Sequence, residues 1–458
     1  MKLREYQIED ANFLASLPCS ACFNEQRTGK TPTALETIKL RNLENEKILI
    51  ITTASSIYQW KDEYEKWLKK SCVICIGTPT QKLKAIKAWT HGLVISLDSF
   101  KETSNRNGLV EPILKEKPSM IILDEAHKIK NPKTASAKAI FKTTRIPYRL
   151  ALTGTPAQGK PYDIFSILKF LFPDDFYGFW KFLEEYFIIE EQTIYVNGKP
   201  RTFKTYERFQ PGKEKELQTY LSRISTQRKR KDVMQWLPDK LYERIRLEPT
   251  KEQQKYLNDL EQTYKTEHII TMGTLDRIIR YRQICLDPGL LNLPGKSPKT
   301  EWIKQYIKDY PDEQIIIFSK FTSYLCRIAA DLSTTWAMLI GATTPKQRSK
   351  FIKDFQAKKF KVFLINIDAG KEALTLDAAS TTIFTDKYPP IGSIEQAEDR
   401  FVASTKDKAH KAHKIIELCI KGTFDEQIYK LLEQRKSETD VINNYKKYIE
   451  ERSKTNGN

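Results

Sequence analysis

Gly29, Lys30 and Thr31 close the stretch Asn24-Glu-Gln-Arg-Thr-Gly29-Lys30-Thr31, which joins an apolar run ending at Phe23 to a helical pattern beginning near Pro32. A loop that leads from a strand into a helix aims backbone N–H groups and a helix N-terminus at an anion. Here the lysine would reach the β- and γ-phosphates of a nucleotide and the threonine hydroxyl would bind Mg²⁺. The full phosphate-loop pattern has glycine where this chain has Asn24. Further on, Asp124-Glu125-Ala126-His127 follows the apolar run Met120-Ile-Ile-Leu123. Asp124 therefore falls at the carboxyl end of a strand, where open α/β sheets bind their ligands. Asp124 would hold the metal through water, and Glu125 would polarise an attacking water.

These side chains need a sheet to present them, and the pattern supplies two. Short β-branched runs alternate with amphipathic stretches over residues 1–172: Cys19 to Phe23, Lys47 to Thr52, Cys72 to Ile76, Gly92 to Ser96, Met120 to Asp124 and Tyr148 to Thr153. Such alternation predicts an α/β domain with a doubly wound parallel sheet. It resumes with Gln314 to Ser319, Ala337 to Gly341, Lys361 to Asn366 and Thr382 to Thr385, a second lobe assigned to residues 226–433. Residues 173–225 differ. They begin rich in aromatic rings (Phe176, Tyr177, Phe179, Trp180, Phe182, Tyr186, Phe187) and continue through Asn197-Gly198 between β-formers. Asn-Gly in that setting predicts a tight hairpin, so the segment reads as a helical protrusion carrying a β-hairpin insertion. Its rings read as the protrusion's core, with a base-stacking platform as the alternative. The hairpin is either a wedge for a nucleic-acid junction or a plain insertion edge. Residues 434–458 read as a charged helical tail.

Composition narrows the partners. The chain has 458 residues with 76 Lys and Arg against 58 Asp and Glu, a net charge of +18. That surplus suits a polyanion, nucleic acid before an anionic membrane, although a lysine-rich solubilising surface has the same composition. No secretory leader opens the sequence and no apolar run approaches the roughly 20 residues that span a bilayer, so a cytoplasmic protein with no membrane partner is expected. Seven cysteines, an odd number, suit reduced thiols. Cys19-Ser-Ala-Cys22 and Cys72-Val-Ile-Cys75 have the spacing of a zinc site, but on strands residues three apart point to opposite faces, which favours small buried hydrophobes. The run Arg228-Lys-Arg-Lys231 is either a nucleic-acid contact or a solvated linker.

From Leu3 to Tyr429 the motifs resemble those of the Swi/Snf-type branch of superfamily 2, the DEAH-box helicase-like ATPases. Leu3-Arg4-Glu-Tyr6-Gln7 is similar to the family's adenine-reading motif, which implies nucleotide contacts for Arg4 and Gln7. Gln26, Thr28, Gly29, Lys30 and Thr31 would hold the phosphates, and Thr31 with Asp124 the Mg²⁺. The segment Ile48 to Thr53 with Trp60 and Trp67 resembles one that touches the DNA backbone. Leu152-Thr153-Gly154-Thr155-Pro156 resembles the motif that couples nucleotide state to lobe movement. Gln227 to Lys240 resembles the basic junction into the second lobe, and Arg282 to Pro288 and Ile317 to Thr322 match segments of that lobe. Gln396-Ala-Glu-Asp-Arg400 matches the closing motif, with Gln396 and Arg400 catalytic and Arg400 the arginine finger. This chain departs from the pattern at Ala403, which stands for a second arginine, and at Lys371, which replaces a glycine.

The resemblance implies two tandem RecA-like lobes, with ATP hydrolysed at the cleft they form by Lys30, Glu125, Gln396 and Arg400. It implies DNA as partner, branched, duplex or single-stranded. The expected activity is an ATP-dependent helicase or translocase that remodels forks or junctions in replication, recombination or repair, similar to compact bacteriophage or bacterial fork-remodelling enzymes of the annealing-helicase or RecG-like kind. It is expected to work as a monomer, with replication or recombination proteins as further partners. The alternatives are a duplex translocase that displaces bound proteins without separating strands, and a non-hydrolysing DNA-binding scaffold.

Overall fold

The computed structural model describes residues 3–101, 108–157, 160–196, 199–206, 208–236, 240–370, 376, 378–389, 391–398, 413–434, 436 and 438–455. The chain divides into two compact units, Met1–Gln235 and Trp236–Asn458. Each is an α/β body built on one parallel sheet.

In the first unit, β1 (Cys19–Cys22), β2 (Ile48–Thr52), β3 (Cys72–Cys75), β4 (Gly92–Ser96), β5 (Met120–Asp124) and β6 (Tyr148–Leu152) are the strands expected from the apolar runs. After β7 (Glu190–Val196) and β8 (Lys199–Thr205) comes a short β9 (Ser225–Thr226). The sheet order is β3-β4-β2-β5-β6-β1-β9, parallel throughout. Every residue of β2 and of β4 is buried. A strand covered on both faces has no reason to alternate, which is why these segments are continuous apolar runs. The pleat still sorts them. Leu49, Ile51, Ile121 and Leu123 face one core, and Ile48, Ile50, Met120 and Ile122 face the other.

Residues 173–225 do not form a separate core. Phe176, Phe182, Leu183, Tyr186 and Phe187 pack with the sheet residues of the first of those cores, whereas Tyr177 and Trp180 are more than half exposed. The strands β7 and β8 pair antiparallel from Glu190↔Thr205 to Val196↔Lys199, as the hairpin signal predicts. Asn197 and Gly198 lie outside the described residues. The base of the hairpin is anchored where Phe187 bridges and stacks on Phe209 with ring centres 4.6 Å apart. The cysteines of the two suggestive pairs lie in β1 and β3, with β4, β2, β5 and β6 between those strands, and all four are buried free thiols.

The second unit repeats the plan with β10 (Leu241–Leu247), the small antiparallel pair β11 (Lys265–Thr266) and β12 (Ile269–Ile270), then β13 (Ile315–Ser319), β14 (Trp336–Leu339), β15 (Val362–Asn366), β16 (Thr381–Phe384) and β17 (Lys414–Ile420). Its sheet order is β10-β17-β16-β13-β15-β14, again parallel. Ile316, Phe318, Phe363 and Ile365 face one core, and Ile315, Ile317, Val362 and Leu364 the other. The chain is thus α/β with two doubly wound parallel sheets. The strands Leu241–Leu247 and Lys414–Ile420 are additions to those expected from sequence. Among the described residues no helix is long and apolar enough to cross a membrane.

Candidate functional site

The loop after β1 enters the helix Lys30–Leu40 through Gly29, which caps it in the left-handed region at φ 88°. A side chain there would be strained by the backbone and would collide with the Gln7 amide. Lys30 Nζ donates to the carbonyls of Asn24 (3.0 Å) and Glu25 (3.3 Å), so its ammonium is folded over the loop it would share with phosphates. Thr31 follows it in the first turn of the helix, partly exposed. Arg27 also holds a left-handed conformation, φ 67°, which a non-glycine residue adopts at a cost.

Three neighbours hold the loop in this shape. From the first helix, Glu5–Ser16, Gln7 Nε2 donates to the Thr28 carbonyl at 2.9 Å and Tyr6 Oη to the same carbonyl at 2.7 Å. Gln7 Oε1 accepts from the Arg4 backbone N–H at 2.9 Å, and Arg4 donates to Tyr6 Oη at 3.0 Å. Gln7 and Arg4, expected at adenine, are thus tied to the phosphate loop itself. Asn24, at the position of the pattern's first glycine, is buried and donates to Asp10 Oδ2 at 2.7 Å. Asp10 Oδ1 accepts from Arg228 Nε at 2.9 Å, and Arg228 also reaches Glu9 at 2.9 Å. Glu25 N–H donates to the Arg228 carbonyl at 2.9 Å while its carboxylate accepts from Arg230 N–H at 2.7 Å. The basic run therefore braces the loop on one side. No sequence signal marks Asp10 for this, since its partner lies far along the chain. The third neighbour is Gly154. A Cβ on it would press on the backbone and side chain of Gln26.

The acidic pair lies at the end of β5, separated from β1 only by β6. Asp124 Oδ2 accepts from Thr52 Oγ1 and from Trp60 Nε1, both at 2.8 Å, and Oδ1 accepts from Glu125 N–H at 3.0 Å. Burial first, then the neighbouring Glu125 carboxylate, pushes the Asp124 carboxyl up, while the Trp60 and Thr52 hydrogen bonds and the Lys30 charge oppose that shift. Trp60, grouped by sequence with a DNA-touching segment, is instead buried against this carboxylate. Glu125 sits at φ 49°, a left-handed residue with a partly buried side chain. Its Oε2 lies 3.4 Å from His127 Nδ1, and that nitrogen shares a 3.0 Å hydrogen bond with Thr153 Oγ1. Thr153 Oγ1 accepts in turn from Thr155 N–H at 3.2 Å. Burial, then Lys128, lowers the His127 pKa to about 4, so the imidazole is neutral near pH 7.

The residues fit a magnesium nucleotide on two counts. Asp124 and Thr31 offer hard oxygens of the kind Mg²⁺ takes. Gln26 Oε1, in the loop, is buried without a hydrogen-bond partner among the described residues, an acceptor left for a ligand's donor. In the second unit Gln396 lies in the helix Ile391–Glu398. Its side chain, and Arg400, Ala403 and Lys371 entirely, lie outside the described residues. The expected motif residues Arg282, Ser319 and Lys320 converge on Asp386, which sequence did not single out. Arg282 Nη2 reaches Oδ2 at 2.9 Å, and Ser319 Oγ and Lys320 N–H reach Oδ1 at 2.6 and 3.1 Å.

A lysine–threonine loop at a helix N-terminus, next but one in a parallel sheet to an Asp-Glu strand end, has the form of the phosphate site of an α/β nucleotide hydrolase. Comparison with known families agrees in kind. The SNF2-related domain matches residues 6–290 and the helicase conserved C-terminal domain residues 298–402. The chain belongs to the SNF2-related family of superfamily 2 helicase-like proteins. Curated relatives include the DNA annealing helicase and endonuclease ZRANB3 of Homo sapiens, 25% identical over 443 residues, covering 93% of this chain and 39% of that protein. An uncharacterized ATP-dependent helicase of Mycoplasma pneumoniae is 26% identical over 449 residues, covering 93% and 41%. The chain thus spans about two fifths of the length of these relatives. Among solved structures, the Sulfolobus solfataricus SWI2/SNF2 ATPase core in complex with dsDNA aligns with a TM-score of 0.43 and 22% identity over 94% of this chain and 91% of that one.

Proposed function

We propose that this chain is an ATP-dependent DNA motor that remodels or unwinds branched DNA. The observation that carries the reading is the juxtaposition in the first unit. Lys30 is folded on a preformed phosphate loop and its charge is felt at Asp124, whose carboxylate is held by Thr52 and Trp60. In this reading Thr28, Gly29, Lys30 and Thr31 bind the phosphates, and Gln26 Oε1 accepts from a donor elsewhere on the nucleotide, such as a ribose hydroxyl. Asp124 and Thr31 hold Mg²⁺, which when bound would offset the charge of the phosphate oxygens. Glu125 orients the attacking water. Its backbone is left-handed at the strand end, and neutral His127 links its carboxylate to Thr153. The segment Leu152 to Pro156 lies close against the loop, since a Cβ on Gly154 would press on Gln26. The resemblance gives Gln396 and Arg400 of the second unit catalytic roles, Arg400 as an arginine finger.

The branched-DNA assignment is supported by family membership and by the annealing-helicase name of one relative, together with the +18 charge. ATP turnover should be measured without nucleic acid and with single strand, linear duplex, fork, four-way junction and RNA. Stimulation highest on forks or junctions supports the proposal. Equal stimulation by linear duplex, with no strand exchange, would point to a duplex translocase that displaces bound proteins. DNA binding without turnover on any substrate would leave only a scaffold.

A further inference from the structure

The aromatic segment after residue 172 splits in two. Phe176, Phe182, Tyr186 and Phe187 are core, while Trp180 and Tyr177 are 55% and 57% exposed on the same short helix and its approach. Two large rings thus stand at the surface side by side with four that are buried, and together they make a small aromatic patch. The exposed pair is not loosely placed. Trp180 is backed by Phe179 and Tyr206, with ring centres 5.6 and 6.2 Å away, and Lys133 Nζ lies 5.3 Å from its ring centre. The Tyr177 ring has Lys181 Nζ 4.9 Å from its centre, and that amine donates to its hydroxyl at 2.7 Å. Tyr162, which meets Phe179 and Tyr206 edge-on, continues the surface, with Lys160 Nζ 5.4 Å from its ring.

The charges nearest the ring faces are cations, while Glu184 and Glu185 lie further along the same helix and Asp174 and Asp175 before it. Lys133 lies over an indole and Lys181 bonds a phenol, and neither forms a salt bridge to a carboxylate among the described residues. A fixed aromatic ring flanked by such ammonium groups meets both halves of a nucleotide, the π-face of a base and the phosphate beside it. A duplex hides its base faces, so the ring is useful only to an unpaired strand.

We propose that Trp180 and Tyr177, with Lys133, Lys160 and Lys181, form a stacking platform for single-stranded DNA on the first unit. The proposal rests on the DNA-motor reading and adds the surface that would hold an unpaired arm. Its position is informative. Lys133 follows directly from the Glu125-Ala126-His127 segment through the turn Ala126–Ile129, and its N–H donates to Asn131 Oδ1 at 3.0 Å. The Lys130 carbonyl accepts from Ser166 Oγ at 3.1 Å, on the helix Phe165–Leu171 that underlies the platform. A strand on Trp180 would therefore bear on the segment that carries the water-orienting carboxylate.

Fluorescence anisotropy of the full chain with a labelled oligo-dT, a blunt duplex and a fork with unpaired arms provides the test, across a salt series. Trp180→Ala should weaken oligo-dT binding about tenfold and leave the blunt duplex unchanged, with the salt slope kept because no charge is lost. Trp180→Phe should retain most of the affinity. Lys133→Ala should lower the log–log salt slope on oligo-dT by about 0.7, one phosphate contact. Wild-type binding of oligo-dT by Trp180→Ala would overturn the platform, and so would an equal loss on duplex, which would mark general damage. If the unaltered chain binds none of the three DNAs, the motor reading itself fails and the platform with it.

Discussion

The two units are built on the same plan and use their strand ends in opposite ways. In the first, the ends of β1 and β5 carry a glycine-capped loop, two left-handed non-glycine residues and a buried acceptor without a partner. In the second, the carboxylates described at the strand ends are met by cations and hydroxyls, although Arg282 Nε is itself buried without a partner among the described residues. Asp386 is shared by Arg282, Ser319 and Lys320, Lys387 pairs at 2.7 Å with both Glu398 and Glu417, and Lys299 pairs with Asp425 at 2.6 Å. Left-handed residues beside an acidic strand end suit a ligand, whereas buried ion pairs hold a strand end in shape. A parallel sheet alone distinguishes neither.

The largest effects should come from the first unit's site. Lys30→Ala and Glu125→Gln should each lower DNA-stimulated ATP turnover by about three orders of magnitude or more with melting temperature unchanged. Near-normal kcat in either variant would remove the contrast between the units. In the second unit the effect should fall on stability instead. Asp386→Ala strands the buried Arg282 guanidinium, and urea denaturation should show a loss of about 3–5 kcal/mol. A loss below about 1 kcal/mol would show that the second unit's network is not what holds its strand ends.

Smaller changes sharpen the comparison. Gly29→Ala should weaken nucleotide binding about tenfold, since a left-handed alanine costs roughly 1–2 kcal/mol and its methyl meets Gln7. Adding Gln7→Ala removes the collision but not the backbone cost, so a fluorescent-nucleotide titration should show partial recovery, and none would refute the contact. The smallest effect near neutral pH concerns His127. Its folded pKa, about 4, lies below the ordinary 6.5, so the unfolded chain binds more protons between these values. The stability it contributes is complete above about pH 6.5 and is lost as pH falls towards 4. Burial, then Lys240, lowers His413 in the second unit to about 3, with the same sign. Denaturation curves from pH 7.5 to 4.5 should flatten for the first unit in His127→Gln, and an unchanged slope would mean the imidazole is not buried neutral.

How much of this was readable depends on distance along the chain. The buried strands were legible because two covered faces make them unbroken apolar runs, as Ile48–Thr52 shows. The strand Lys414–Ile420 hides a carboxylate, Glu417, within such a run, and only the structure shows Arg244 and Lys387 meeting it. Lys30, Thr31, Asp124 and Glu125 stood out because their chemistry needs neighbours in sequence. Asp10 did not, since a helix aspartate is ordinary until Asn24 and Arg228 are seen on its two oxygens. Trp60 is legible only as a tryptophan near a motif that resembles a DNA-touching one, and nothing in sequence shows that its N–H points inward to Asp124.

The short strand β9 has a consequence for dissecting the molecule. Its two residues zip onto the outer side of β1, and Phe23 N–H donates to the Thr226 carbonyl at 2.8 Å. A fragment cut after residue 172 would carry every residue of the first unit proposed to bind the nucleotide. It would nonetheless leave β1 as a raw sheet margin with open N–H and C=O groups, and Asp10 without its arginine. Such a margin recruits strands from other molecules. The minimal fragment of the first unit that keeps its loop in shape therefore runs through Arg230, well past the last of that unit's residues proposed to touch ATP.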